Sequence, residues 1–228
     1  MVPNAVDHTV DGIEVCFASS LVRHHIITTE LLGAGLLDDA SVVLVGLEAA
    51  NNDLPRLMGM SVYDFALGEP VGLGGTEAEA MMNFATASRG PEFDGQRQYS
   101  TTKVFSAWWS AAMAGRHEGS TRFYTVSPGA NMGTAAARNA DGLFKVMIAV
   151  MSRVGPHIAM DQPVPVGAKR YLDVALGRGG AYESGSHLHV QAEEDDRPAR
   201  RAHAGHLTNT SRQETALAIL TNSSGSHL

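Results

Sequence analysis

The sequence predicts an α/β fold built around a parallel β-sheet. Two short apolar runs, Ser41–Val45 and Arg122–Val126, each follow a long stretch with helical periodicity, so that helices and strands alternate along the chain. The first run is continuous and rich in β-branched residues, which is typical of a strand buried on both faces. In such sheets ligands bind at the carboxyl ends of the strands, and we therefore expect function in the loops after Val45 and Val126.

The two predicted helices precede these strands. The first covers residues 8–33, where Thr9 or Asp11 can cap the start and Gly33 ends the helix. The second covers residues 99–116 and leads directly into the second strand. Helix–strand pairs of this kind are the units from which parallel sheets are assembled.

Residues 48–98 form a long connection between the first strand and the second helix. This stretch is rich in turn-forming residues and contains a capping-box pattern, Thr76 with Glu79, that predicts a short helix. A connection of this length at the carboxyl end of a strand is typically a lid or a substrate-binding loop. A surface insertion without a function is the alternative.

Two further helices are predicted over residues 135–154 and 166–176, both followed by glycine-containing breaks. After residue 185 the pattern weakens, and a run of four acidic residues at 193–196 is followed by arginines. We therefore expect a structured region over residues 1–185 and a poorly defined, polar C-terminal segment over residues 186–228.

Composition excludes several classes of protein. The formal net charge of −7 offers no basic surface for nucleic acid. The most apolar long stretch, residues 142–150, is too short to cross a bilayer. The single Cys16 excludes an intrachain disulfide and fits a reducing compartment, and no leader pattern opens the chain, so we expect a cytoplasmic protein.

No metal site is expected. His24 and His25 are adjacent on a predicted helix, where neighbouring side chains point about 100° apart and do not readily share one ion. The later histidines have no metal-ligand spacing. Partly buried or solvated histidines are the better interpretation.

Tyr99 and Lys103 are the strongest candidates for chemistry. They are four residues apart on a predicted helix and so lie on one face, one turn from each other. An ammonium group beside a phenol favours the phenolate and lowers the pKa of the tyrosine, which makes the tyrosine usable as a proton donor or acceptor. Such a pair also arises by chance, so its surroundings must decide.

The surroundings resemble the short-chain dehydrogenase/reductase family over about residues 1–185. Residues 11–18 are similar to the start of the family's fourth helix, and residues 42–45 to its fifth strand. Tyr99 and Lys103 match its YxxxK motif. Its later proline-glycine segment is matched by Pro128, Gly129 and Thr134, and its Asn-Asn-Ala-Gly segment is resembled by Asn4 and Ala5.

The resemblance implies a Rossmann-like, doubly wound parallel sheet that lacks the first three strands and their helices, with residues 48–98 as a long insertion or lid. It implies an NAD(P)-dependent oxidoreductase that interconverts a carbonyl and an alcohol. Tyr99 would be the acid/base, and Lys103 would lower its pKa and bind the nicotinamide ribose. The residues implied to contact NAD or NADP are Asn4, Ala5, Tyr99, Lys103, Pro128, Gly129 and Thr134.

Two departures from the family favour an alternative. The glycine-rich TGxxxGxG turn that holds the pyrophosphate is not matched, because residues 72–75 follow the wrong strand. The family's catalytic serine falls near Gly46 and Leu47, which carry no hydroxyl, and its helical asparagine aligns with Ser19 or Ser20. The alternative is a catalytically impaired remnant that acts in oligomerisation or interaction.

The expected partners are a small carbonyl or alcohol substrate and a second copy of the chain. Helices 8–33 and 99–116 correspond to those that often form the family's dimer interface. Trp108 and Trp109 lie on the second of these helices and fit an oligomeric face, because aromatic residues are enriched in interfaces. The alternative is that one tryptophan lies in the core and the other is a partly exposed neighbour.

Overall fold

The protein has a mixed α/β fold with a small parallel sheet. The computed structural model describes residues 3, 5–47, 50, 62–63, 65, 73–87, 93–129, 146, 150, 164–178, 182–188 and 207–224. Within these residues the strands are β1 (Ser41–Val45), β2 (Arg122–Val126) and β3 (His187–Leu188). The helices are α1 (Val15–Phe17), α2 (Arg23–Gly33), α3 (Glu77–Thr86), α4 (Gly95–Arg116), α5 (Val164–Ala175) and α6 (Thr210–Ser224).

The described sheet has three strands in the order β1-β2-β3, and both pairings are parallel. Ser41 lies opposite Arg122 and Val45 lies opposite Val126, so β1 and β2 end at the same level. The loops that follow the two strands therefore start side by side. The predicted bounds of both strands are confirmed.

Residues 15–33 form one helical stretch with a π-helical turn, Ala18–Val22, between α1 and α2. The predicted start at residue 8 was wrong, as were the caps Thr9 and Asp11. Gly12 has a φ of +77° and turns the chain before the helix begins. Glu14 is the actual cap, because its side chain accepts hydrogen bonds from the first turn.

The sheet is covered on both faces. The first core cluster places Leu44 and Phe123 against the helices on one side, with a large group of aromatic rings. The second, smaller cluster places Tyr124, Val126 and Leu188 against Val174 of α5 on the other side. This alternation along the strands is the pattern expected when a sheet is buried on both faces.

The described residues of the C-terminal segment, 186–188 and 207–224, include regular structure, whereas residues 189–206 lie outside the described residues. The segment contributes β3 to the sheet and the 15-residue helix α6, which packs mainly against α4. Four apolar residues of α6 are buried, namely Ala216, Leu217, Ile219 and Leu220. Arg116 of α4 pairs with Glu214, which holds α6 in place from the polar side.

Trp108 and Trp109 both lie in the core, which differs from the oligomeric face we expected and from the alternative with one partly exposed tryptophan. Trp108 is 1% exposed and packs against Phe105, while Trp109 is fully buried and packs against Phe123. The predicted helix over residues 135–154 lies outside the described residues apart from two isolated positions. No helix among the described residues has both the length and the apolar composition needed to span a membrane.

Candidate functional site

Tyr99 and Lys103 lie at the carboxyl end of β1. Asp94 caps α4 and the helix begins at Gly95, so both residues stand in its first three turns. The Lys103 Nζ atom donates a hydrogen bond of 2.9 Å to the carbonyl oxygen of Val45, the last residue of β1. The predicted pair is therefore formed, and it sits where ligands bind in parallel sheets.

The Lys103 Nζ atom is 5.4 Å from the centroid of the Tyr99 ring. Lys103 is 7% exposed, and burial lowers the pKa of its ammonium group. Burial also raises the pKa of the Tyr99 phenol. This is opposite to the lowering that we expected from Lys103, because removal of the phenolate from water disfavours it and the nearby Cys16 raises the pKa further.

Three further titratable groups surround the pair. The thiol of Cys16 is buried, and its pKa is raised by that burial and by the carboxylate of Glu14. The pKa of His24 is lowered by burial and by the charge of Lys103. The pKa of the Tyr171 phenol is strongly raised by burial and by proximity to Tyr99.

Sequence reasoning missed Cys16 and Tyr171 as neighbours of the pair. Tyr171 comes from α5, on the opposite face of the sheet from α4, and only the folded chain brings it to the same end. Cys16 and Ser20 are four residues apart, a spacing that predicts contact between them on a helix, and their side chains do hydrogen-bond. That spacing does not indicate that Cys16 lies near Tyr99 and Lys103.

The turn after β2 is fixed by a buried arginine. Arg170 of α5 is 4% exposed, and its Nη1 atom donates a hydrogen bond of 2.6 Å to the carbonyl oxygen of Pro128. Gly129 follows with a φ of +80°, a conformation that favours glycine. The predicted residues Pro128 and Gly129 therefore lie in a defined turn beside the end of β1.

Of the three remaining predicted cofactor contacts, only Ala5 is described. Ala5 is exposed, and Asn4 and Thr134 lie outside the described residues. The structure thus brings together Tyr99 and Lys103, with Pro128 and Gly129 on the adjacent strand end.

The position expected for a catalytic serine has no room for a side chain at Gly46. A Cβ atom there would lie 2.9 Å from Cγ2 of Thr125 and 3.0 Å from Cε1 of His187. The Gly46 amide donates a hydrogen bond of 2.7 Å to the Val126 carbonyl, which holds the backbone against β2. A serine at residue 46 would therefore require its neighbours to move.

Ser19 and Ser20 both lie in the π-helical turn. Such turns are rare and frequently mark functional sites. The Ser19 hydroxyl donates a hydrogen bond of 3.2 Å to the Cys16 carbonyl, so it is used within the helix.

The described residues fit only one end of a dinucleotide. Lys103 and the Pro128–Gly129 turn suit the nicotinamide and its ribose. That end of a dinucleotide needs a hydrogen-bond donor and a backbone that can approach closely. The N-termini of three described helices carry acidic side chains: Glu14 caps α1, Glu79 completes the capping box of α3, and Asp94 caps α4. These carboxylates repel phosphate.

Among the described residues there is no group of three His, Cys, Asp or Glu side chains that could hold a metal ion. Comparison of the chain with protein-family models and with curated proteins finds no match.

Proposed function

We propose that this chain is a Rossmann-like carbonyl–alcohol oxidoreductase of the short-chain dehydrogenase/reductase type, with Tyr99 as the acid/base. One observation carries the proposal: Tyr99 and Lys103 are packed together at the carboxyl end of β1, where Lys103 hydrogen-bonds the Val45 carbonyl. The Pro128–Gly129 turn at the end of the adjacent strand supports it.

In this proposal Tyr99 acts chiefly as an acid. Its raised pKa keeps the phenol protonated at neutral pH, so the phenol can donate its proton to the carbonyl oxygen of a substrate. NADH or NADPH, when bound, would supply the hydride. Lys103 would use the N–H groups that do not bond Val45 to hold the cofactor's ribose. Reduction of a carbonyl is therefore the favoured direction.

A second candidate is a catalytically impaired relative that acts through protein contacts. Two observations favour it, namely the filled space at Gly46 and the acidic caps on the helix N-termini. Self-association through residues 8–33 and 99–116 remains part of both candidates. Because α4 is already covered by α6, the exposed side of α2, where Ile27 is 56% exposed, is the better surface for it. A cytoplasmic location belongs to the same proposal and rests on the single Cys16.

Thermal unfolding of the purified chain with and without millimolar NADH or NADPH tests the proposal first. A ligand that binds only the folded state stabilises it, by about 2.7 kcal/mol at 100 times its dissociation constant, and so raises the unfolding midpoint. We expect a higher midpoint for the wild-type chain and a smaller shift for Lys103→Met. Lys169→Met is the matched control, because Lys169 is an exposed lysine on α5 that pairs with Asp173.

If a shift is found, carbonyl reduction is assayed in the wild type and in Tyr99→Phe. Loss of a general acid typically lowers kcat by about 10²–10⁴-fold. Full turnover in Tyr99→Phe would remove Tyr99 from the proposed role. A cooperative transition without any shift would support the second candidate.

A further inference from the structure

We propose that Glu14 and Gln98 are a positioning pair that sets where the Tyr99 phenol lies relative to Cys16 and Lys103. The inference rests on the proposed function, because it assigns a role in the placement of Tyr99. Its structural content, a fixed location for the phenol, can be measured without turnover.

Glu14 is a fully buried acidic side chain that accepts three hydrogen bonds. Its Oε1 atom accepts a hydrogen bond of 2.8 Å from the Cys16 amide, and its Oε2 atom accepts one of 2.8 Å from the Phe17 amide. Oε2 also accepts a bond of 2.9 Å from the Gln98 side-chain amide. Burial of a carboxylate is tolerated only with such compensation.

The third bond contributes nothing to capping α1. Both amides of the first helical turn are already satisfied by the Glu14 oxygens, and a shorter cap residue would serve that purpose. The bond to Gln98 crosses to another helix and connects positions 84 residues apart in the chain. Its effect is to lock the start of α1 to the start of α4.

Gln98 is itself held rigidly. It is 4% exposed, and its backbone amide donates a hydrogen bond to the Asp94 carbonyl. Its backbone carbonyl accepts a hydrogen bond of 2.8 Å from the Thr102 hydroxyl. Any rotation of the first turns of α4 would break the bond to Glu14. Tyr99 is the next residue in the chain. Because Gln98 fixes the rotation of α4 about its axis at this point, it also fixes the direction in which the Tyr99 side chain leaves the helix.

Glu14 also anchors the pair to a third helix. Its own backbone amide donates a hydrogen bond of 3.0 Å to the carbonyl of Ala85 in α3. Since Cys16 lies two residues further along the same turn, the positions of Cys16 and Tyr99 are set by one connected group of bonds. This matches the electrostatic coupling between the Cys16 thiol and the Tyr99 phenol.

The test uses the full chain labelled with 3-fluorotyrosine and observed by ¹⁹F NMR. The chain has 5 tyrosines, and the Tyr99 resonance is the one that Tyr99→Phe removes. We compare Glu14→Gln and Gln98→Ala, the second of which removes one donor and leaves both capping bonds of Glu14. Asn209→Ala is the control, because Asn209 accepts a hydrogen bond from the Arg212 amide at the start of α6, away from the pair.

We expect the Tyr99 resonance to shift or broaden by more than its linewidth in Gln98→Ala and in Glu14→Gln. In Asn209→Ala it should stay unchanged despite a loss of stability in urea. An unmoved Tyr99 resonance in a folded Gln98→Ala protein would overturn the inference and leave Glu14 as a cap only. A moved resonance in a chain without nucleotide binding or turnover would support the positioning pair and count against the proposed function.

Discussion

The two halves of helix α4 are both buried, but with opposite chemistry. The first half, residues 95–103, buries polar side chains, namely Gln98, Ser100, Thr101, Thr102 and Lys103. The second half, residues 104–116, buries large apolar ones, of which Phe105, Trp108 and Trp109 are the largest. One helix therefore provides the candidate chemistry at one end and the main core at the other.

The difference shows where the stability of the molecule comes from. The Phe105 ring lies 5.1 Å from Phe17 and 5.4 Å from Phe84 between centroids, within a continuous aromatic cluster. Such pairs add about 0.5–1.5 kcal/mol each beyond the burial of area. Burial of the Lys103 amine works in the other direction, because the lowered pKa reflects a cost for its charged form. The free energy gained by packing the aromatic half of α4 therefore offsets the free energy lost by burying the polar half.

Trp109→Ala should have the largest effect on stability. Trp109 is fully buried, and removal of a buried tryptophan typically costs about 3–5 kcal/mol. Trp109→Phe is the control, because it keeps most of the apolar volume and loses mainly the hydrogen bond to His25. Urea unfolding measures both. A cost below about 1 kcal/mol for Trp109→Ala would mean that the second half of α4 is not the stabilising half.

Gly46→Ala should have the second-largest effect, a loss of about 1–3 kcal/mol in stability from overpacking. The added Cβ would meet Thr125 and His187 at 3.0 Å or less. Gly33→Ala is the control, since a Cβ there has no atom within 4 Å and Gly33 is helical. The control should be neutral or stabilised by about 0.5–1 kcal/mol. Equal stability of the two variants would show that residue 46 can accept a side chain, and Gly46→Ser would then be worth testing for activity.

Local features were more predictable from the sequence than long-range contacts. The bounds of both strands and the pairing of Tyr99 with Lys103 follow from local patterns, which operate within a few residues. The bond between Glu14 and Gln98 does not, because glutamate is an unusual helix cap and its partner is 84 residues away. The direction of the Tyr99 pKa was mispredicted because spacing gives the neighbouring charge but says nothing about burial.

The C-terminal segment contains a helix that sequence reasoning overlooked. Ala216, Leu217 and Leu220 have the spacing of an amphipathic helix and are buried, while the charged runs at 193–201 lie outside the described residues. That spacing was present in the sequence. Strand β3 has only two residues, which is too short to produce any periodicity, and it is defined by pairing with β2.

Lys103→Met should change the pH dependence of stability. Because burial lowers the pKa of Lys103, the folded chain binds fewer protons than the unfolded chain at pH values between its folded pKa and the ordinary value near 10.5. Wild-type stability therefore rises with pH in that window, by at most about 1.4 kcal/mol per pH unit for one group. The difference between wild type and Lys103→Met reports this titration together with the effect of Lys103 on Cys16 and His24. If the difference in the free energy of unfolding between the two proteins does not vary between pH 7 and pH 10, burial of the Lys103 amine carries no such cost.

The smallest expected effect lies in the second half of α4, at the contact between Trp109 and His25. The Trp109 indole donates a hydrogen bond of 3.1 Å to His25 Nδ1, which must be unprotonated to accept it. Burial lowers the pKa of His25 from its ordinary value of 6.5. The stability contributed by neutral His25 is complete above pH 6.5 and falls as the pH drops below it, since only the unfolded chain then takes up the proton.

His25→Gln should flatten this acid slope, because a glutamine oxygen can accept the indole bond without titrating. The measurement is urea unfolding between pH 5 and pH 7.5, with His24→Gln as the control for the neighbouring histidine, whose pKa is also lowered but which is more exposed. We expect His25→Gln to remove more of the slope than His24→Gln. The reverse order would make His24 the main titrating group. Because Lys103 lowers the pKa of His24, the polar half of α4 would then contribute to the acid sensitivity.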